Sequence, residues 1–124
     1  MSEAIRSFRD LTVWKKAIHL VKLIYPLAKA LPKEEVYGLS SQMRRAVVSI
    51  PSNIAEGFGR YNTKDYIHFL RIARGSNNEV ETQLRICIEV GYLTEDVCAA
   101  SLQLCDELNR MLNALLLKLS SKIP

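Results

Sequence analysis

Histidine and cysteine are scarce in this 124-residue chain, and the scarcity excludes most metal and redox chemistry at the outset. The two histidines, His19 and His68, stand alone, whereas a zinc site gathers four ligands, usually as closely spaced pairs. Cys87, Cys98 and Cys105 form no CxxC pair and occupy positions that suit small apolar residues, so buried reduced thiols are expected and metal binding is not. Aromatics are sparse, and five glycines and four prolines are too few for a turn-rich all-β fold. No apolar run approaches the roughly 18 residues that cross a bilayer. MSEAIRSFRD, the first ten residues, lacks the apolar stretch of a secretory signal, which makes the cytoplasm the expected location.

What is present suits one globular domain over residues 1–124, since 48% of the residues are hydrophobic, enough for a single core. Charge is unevenly placed. Residues 1–31 hold Arg6, Arg9, Lys15, Lys16, Lys22 and Lys29 against Glu3 and Asp10, an excess that equals the net charge of +4 of the whole chain. A basic element of this kind fits an anionic partner, and it fits a solvated face equally well.

Apolar spacing predicts four helices, over about 12–31, 34–58, 63–90 and 94–121. The first carries Trp14, Ala17, Ile18, Val21, Ile24, Tyr25, Ala28 and Leu31 at steps of three and four, with Asp10 or Thr12 as cap. Pro26 predicts a bend or an early stop. Glu34 and Glu35 fit the first turn of the second helix, whose stripe is Leu39, Met43, Ala46, Val47, Ile50, Ile54 and Phe58. Asn62 or Thr63 opens the third, lined by Tyr66, Phe69, Leu70, Ala73, Asn77, Val80, Leu84, Cys87 and Ile88, and Gly91 stops it. Asn77 is an amide on an apolar line, with no partner evident from sequence. Thr94 before Glu95 and Asp96 starts the fourth, with Cys98, Leu102, Cys105, Leu108, Leu112, Leu115 and Leu119 inward, and Leu116 and Leu117 widening that face. Short turns between such helices predict an all-α, antiparallel up-down-up-down four-helix bundle.

The stretch SIPSNIAEGFGR, residues 49–60, needs a separate account. It lacks the lysine of a phosphate-binding loop and the third glycine of a dinucleotide loop, and a helix rather than a strand precedes it. Ser49 and Ser52 have no histidine or lysine base at a predictable spacing. A mechanical role is left: Pro51 kinks the second helix, Ser49 and Ser52 re-bond the freed backbone, Gly57 and Gly59 turn the chain, and Phe58 covers the core.

Two polar stripes run beside the apolar ones. Gln42, Arg45, Ser49, Asn53 and Glu56 lie on the second helix; Arg71, Arg74, Asn78, Glu81 and Arg85 lie on the third. Gly75 and Ser76 sit mid-helix, where glycine costs about 1 kcal/mol relative to alanine. Such a residue suits the close approach of another backbone. The stripes are therefore expected to face each other, with Arg74 pairing with Glu56 and Glu79 pairing with Arg44 or Arg45.

The segments DLTVWKKA, GLSSQMRRAVVSIPSNIAEGFGR and FLRIARGSNNEVETQL together resemble the bacterial four-helix-bundle family encoded within 23S rRNA intervening sequences. That family is similar to the accessory variability determinant of diversity-generating retroelements. The resemblance implies a ring-shaped homopentamer with a central channel, association with nucleic acid, chiefly RNA, and no known catalysis or cofactor. It places the family signature on Gln42, Arg45, Ser49, Pro51, Asn53, Glu56, Gly57, Arg74, Gly75, Ser76 and Glu79, as structural and assembly positions. Pro26, in a first helix that should be continuous, and the amides Asn77 and Asn78 depart from the expected pattern.

The expected function is accordingly a non-enzymatic oligomeric accessory protein. It would bind RNA through Arg6, Arg9, Lys15, Lys16, Lys22, Lys29, Arg44, Arg60, Arg71 and Arg85. Base-specific reading is not expected, since the aromatics fall on core lines. The alternative is a scaffold that docks a partner protein with no direct nucleic-acid role. The paired carboxylates Glu34/Glu35 and Glu95/Asp96 read as helix starts, so no catalytic or metal residue is assigned.

Overall fold

Capping chemistry sets most of the helix ends in the computed structural model, which describes residues 4–124. Four helices form: α1 (Thr12–Lys29), α2 (Leu39–Phe58), α3 (Thr63–Glu89) and α4 (Glu95–Ser120). Asn62 accepts the Asp65 amide at 2.8 Å and Thr94 the Val97 amide at 3.3 Å, each satisfying a donor that the first helical turn leaves free. At the end of α3, Gly91 adopts φ +83°, and the amides of Gly91 and Tyr92 return to the carbonyls of Ile88 and Cys87. This left-handed stop is the one predicted for Gly91.

The first two helices depart from expectation at their starts. Neither Asp10 nor Thr12 caps α1: Leu11 is the boundary residue and makes no side-chain cap. Asp10 instead closes a 3-10 turn at Phe8–Asp10, accepting the amides of Arg6 and Ser7 while Ser7 accepts that of Arg9. Pro26 is accommodated inside α1, which runs on through it to Lys29, so the helix does not stop at the proline. The second helix begins at Leu39 rather than 34, because Lys33–Glu35 form a separate 3-10 turn. Glu35 still serves the helix start, its Oε1 accepting the Leu39 amide at 3.1 Å. Across Pro51, α2 runs without interruption.

The helices lie in cyclic order, α2 packing on α1 and α3, and α4 on α3 and α1. Contacts across the seams run antiparallel: Ser76 meets Ser49, and Cys87 meets Met43, eleven residues on along α3 and six back along α2. The core is aliphatic, with Leu20, Ile24, Met43, Ile50, Ile54, Leu70, Leu84, Leu108 and Leu112 fully buried. On α1 the inward line is Val13, Ala17, Leu20, Ile24 and Ala28, so Trp14, Ile18, Val21 and Tyr25 form an adjoining, partly exposed row instead. On α4, Leu116 is core and Leu117 is 75% exposed, so only one of the pair widens the buried face.

Asn77 finds its reason here. Completely buried, it donates from Nδ2 to the Cys105 carbonyl of α4 at 2.8 Å, tying α3 to α4 across an apolar seam. The three cysteines are buried and free. Burial pushes the Cys87 thiol up to about 11 and Cys105 up to about 12, which keeps both protonated and unreactive.

Glu35 joins the two connections at one end of the bundle. While Oε1 holds the Leu39 amide, Oε2 accepts the Tyr92 hydroxyl at 2.8 Å. The Leu39 amide first, and Tyr92 second, hold the Glu35 carboxyl below its ordinary value. A depressed carboxylate stabilises the fold above its unfolded pKa and loses that contribution as pH falls through the folded value. Thermal unfolding followed from neutrality down through about pH 4 should show a decline that is shallower in Glu35→Gln; parallel curves would show that this carboxylate is not coupled to folding.

Candidate assembly and nucleic-acid surfaces

The antiparallel seam between α2 and α3 gathers much of the signature. Gln42, Arg45, Ser49, Ser76 and Glu79 border a polar niche of about 270 Å³. Its inner wall is a short hydrogen-bond chain. Ser76 donates its hydroxyl to Ser49 Oγ at 2.9 Å, and Asn53 Nδ2 lies 2.8 Å from both the Ser49 carbonyl and Ser49 Oγ. The expected re-bonding of the backbone freed by Pro51 is not what forms: among the described residues the Val47 carbonyl, four residues before Pro51, receives no such side-chain bond, and Asn53 bonds the Ser49 carbonyl instead. No histidine or lysine borders the niche; its charged neighbours are Arg45 and Glu79.

The expected charge pairs do not form. Arg74 donates to Asn113 Oδ1 on α4 at 2.9 Å, and Glu56 pairs with Arg60 one turn along its own helix at 2.9 Å. Glu79 accepts from Gln83 at 3.4 Å rather than from Arg44 or Arg45. Register separates the first pair, whereas Arg45 and Glu79 border the same niche without forming an ion pair. Gly57 lies against Tyr66 and Phe69, and Ser49 against Ser76, so Arg74 is level with the neighbourhood of Pro51 and Glu56 is more than a turn away. Gln42, Arg45, Glu56 and Glu79 are solvent-exposed in the protomer. They are not internal mortar.

The ten candidate cations fall into two groups. Lys16 is committed to Glu107 of α4 at 3.0 Å, and Arg60 to Glu56 while also lying 4.6 Å over the Phe69 ring. Arg9 stacks 5.0 Å over Phe8. Among the described residues, Lys15, Lys22, Lys29, Arg44, Arg71 and Arg85 have no carboxylate within 4.0 Å, and all but the half-buried Arg44 are exposed. Arg6 is exposed near the start of the described chain. Spaced by seven, Lys15, Lys22 and Lys29 share one side of α1. Not every aromatic is on a core line: Tyr37 is 94% exposed and Tyr61 108%, one in each of two connections. They are isolated and build no stacking platform.

A family model described as 23S rRNA-intervening sequence protein matches residues 9–114, which take in the whole α2–α3 seam. The chain belongs to that family. Among solved structures, it is similar to a protein with unknown function from the S23 ribosomal protein family of Bacteroides thetaiotaomicron. The two are 27% identical with a TM-score of 0.79, over 85% of this chain and 98% of that one. No curated protein matches. No helix among the described residues is long and apolar enough to cross a membrane.

In this member of the 23S rRNA-intervening sequence protein family, the two signature glycines hold opposite environments. Gly57 is buried within α2, and a Cβ there would lie 2.8 Å from Phe69 Cβ and 3.0 Å from Tyr66 Cδ1. It serves close helix approach, not the turn expected of it. Gly59, with φ −80°, ends α2 in an ordinary helical conformation. Gly75 is exposed and has no atom within 4 Å of such a Cβ, so no backbone of the same chain approaches it. Sequence reading also missed Tyr92, for which the stop at Gly91 was the only signal.

Urea denaturation should separate the glycines. Gly57→Ala is expected to lose about 1–3 kcal/mol by overpacking, whereas Gly75→Ala should gain up to about 1 kcal/mol from helix propensity. Equal effects at the two positions would contradict this difference in surroundings.

Proposed function

We propose that this protein is a non-enzymatic accessory protein that self-assembles into a ring and binds nucleic acid, RNA in particular, through basic surfaces. The observation that carries the reading is the set of exposed cations with no carboxylate within 4.0 Å among the described residues: Lys15, Lys22, Lys29, Arg71 and Arg85. Cations spent on internal pairs are unavailable to phosphate; these are not so spent. One copy has a net charge of only +4, so repetition by symmetry is what would turn a modest patch into a field that attracts a polyanion. Five copies is the number implied by the resemblance.

Contact would be with phosphates rather than bases, because Tyr37 and Tyr61 are isolated and offer no stacked pair. The non-enzymatic part of the reading is supported by the niche, where Ser49 Oγ is hydrogen-bonded to Asn53 and Ser76 and not to Glu79, the one carboxylate on its border.

A scaffold that docks a partner protein is the second reading. It is favoured by a hollow of about 310 Å³ between α1 and α2, walled by Trp14, Val21, Val48, Pro51 and Ala55.

Titration of a labelled single-stranded RNA at two ionic strengths tests the first reading. Affinity should fall by about one power of salt concentration per phosphate neutralised. Lys15→Glu combined with Arg71→Glu should weaken binding further without altering the melting temperature, since both residues are exposed. Absence of binding at low salt overturns it. Retention of a protein partner after nuclease treatment, abolished by Val48→Asp, supports the scaffold.

A further inference from the structure

Where α1 ends and α2 begins, the surface opens into an apolar groove of about 990 Å³. Tyr25, Pro26, Leu31 and Val36 contribute to its lining, and it is bordered by Lys22, Lys29, Lys33 and Arg44 with no carboxylate among the lining residues. Pro32, just past the end of α1, keeps this connection from continuing as regular helix, and the groove opens beside it. Tyr25 and Val36 are 44% and 46% exposed, large apolar groups that the protomer itself does not cover.

The opposite side of the same bundle end has the complementary character. At the corner between α3 and α4, Val90 is 57% exposed and Val97 53%, flanked by the exposed Glu89, Glu95 and Asp96. Residues 86–109 contain no lysine, arginine or histidine. An apolar knob bordered by Glu89, Glu95 and Asp96, with Arg85 one turn before Glu89, thus lies across the bundle end from an apolar groove bordered by cations. Because the helices follow the order α1, α2, α3, α4 around the bundle, a protomer cannot insert its own corner into its own groove.

We infer that the α3–α4 corner of one copy seats in the α1–α2 groove of the next, with Glu89 and Glu95 meeting Lys29 and Lys33. The inference rests on the ring reading above and deepens it by naming both halves of the contact. Two different patches meeting head to tail form a heterologous interface, which closes into a ring only if successive copies rotate without climbing. The Glu35–Tyr92 hydrogen bond shows that groove and corner lie at one height along the bundle. A repeated contact between them therefore carries little axial rise. Charge complementarity adds register and excludes groove-to-groove and corner-to-corner pairing. One consequence is a division of labour among the cations. Lys29, Lys33 and Arg44 would be neutralised by the neighbour, leaving Lys15, Arg71 and Arg85 to nucleic acid.

Charge reversal with rescue tests the contact, read as mass by light scattering and sedimentation across micromolar concentrations. Wild-type protein should be a multiple of the protomer. Lys29→Glu with Lys33→Glu, and separately Glu89→Lys with Glu95→Lys, should each raise the dissociation constant roughly tenfold or more. Circular dichroism should stay unchanged, because all four residues are exposed. The fourfold variant, with both patches reversed, should assemble again. Assembly indifferent to either reversal, or a fourfold variant that stays dissociated, overturns this pairing while the ring stands. A monomeric wild type overturns the ring as well.

Discussion

Close approach between α2 and α3 is the constraint on which the remaining geometry depends. Gly57 against Phe69 and Tyr66, and Ser49 against Ser76, are contacts between small groups separated by about two turns of helix. Together they fix both spacing and register. A slide by one turn would bring a side chain where only hydrogen fits at position 57, and would separate the two serine hydroxyls in a partly buried seam, at the cost of unmade hydrogen bonds. Register then decides what meets what. Met43 comes to Cys87, and Gln42, Arg45 and Glu79 are left around a polar niche instead of sealed within it.

The division between interior and surface follows from the same packing. Inside are aliphatic side chains with a few amides and hydroxyls, of which Asn77 crosses to the Cys105 carbonyl. Outside are the charges, and the ion pairs among them, Lys16–Glu107, Arg60–Glu56 and Arg110–Asp106, are substantially exposed. Pairs of that kind contribute no more than about 1 kcal/mol each. Stability therefore rests on apolar burial, and most of the cations of α1 are free of obligations to the fold. That freedom is the physical link between an ordinary helical core and a surface suited to polyanions or to acidic neighbours.

The two ends of the bundle are unlike. At one end, Glu35 clasps Tyr92, Pro32 interrupts the chain between α1 and α2, and uncovered apolar groups stand among charges of opposite sign on opposite sides. The other end is closed by the α2–α3 turn, where Phe58 meets Tyr66 edge-on and Arg60 covers Phe69. A protomer with one finished end and one unfinished end has a direction.

Four helices, their antiparallel succession and several of their caps were legible in the amino-acid order, because helix spacing, Asn62, Thr94 and Gly91 act locally, within about one turn. Periodicity was less decisive about rotation. On α1 two adjacent apolar rows satisfy the same spacing, and only the neighbouring helices select Val13 and Leu20 over Trp14 and Ile18 as the buried set. Two glycines of the signature look alike in sequence, yet Gly57 is pressed against α3 and Gly75 faces open space. Arg74 has charges of both signs within plausible reach on paper and bonds the amide of Asn113, thirty-nine residues on. Local chemistry is written residue by residue, so the sequence by itself determined what each segment would become. Which side chains meet was decided only by tertiary structure, since register depends on a few short contacts between helices that no single segment contains.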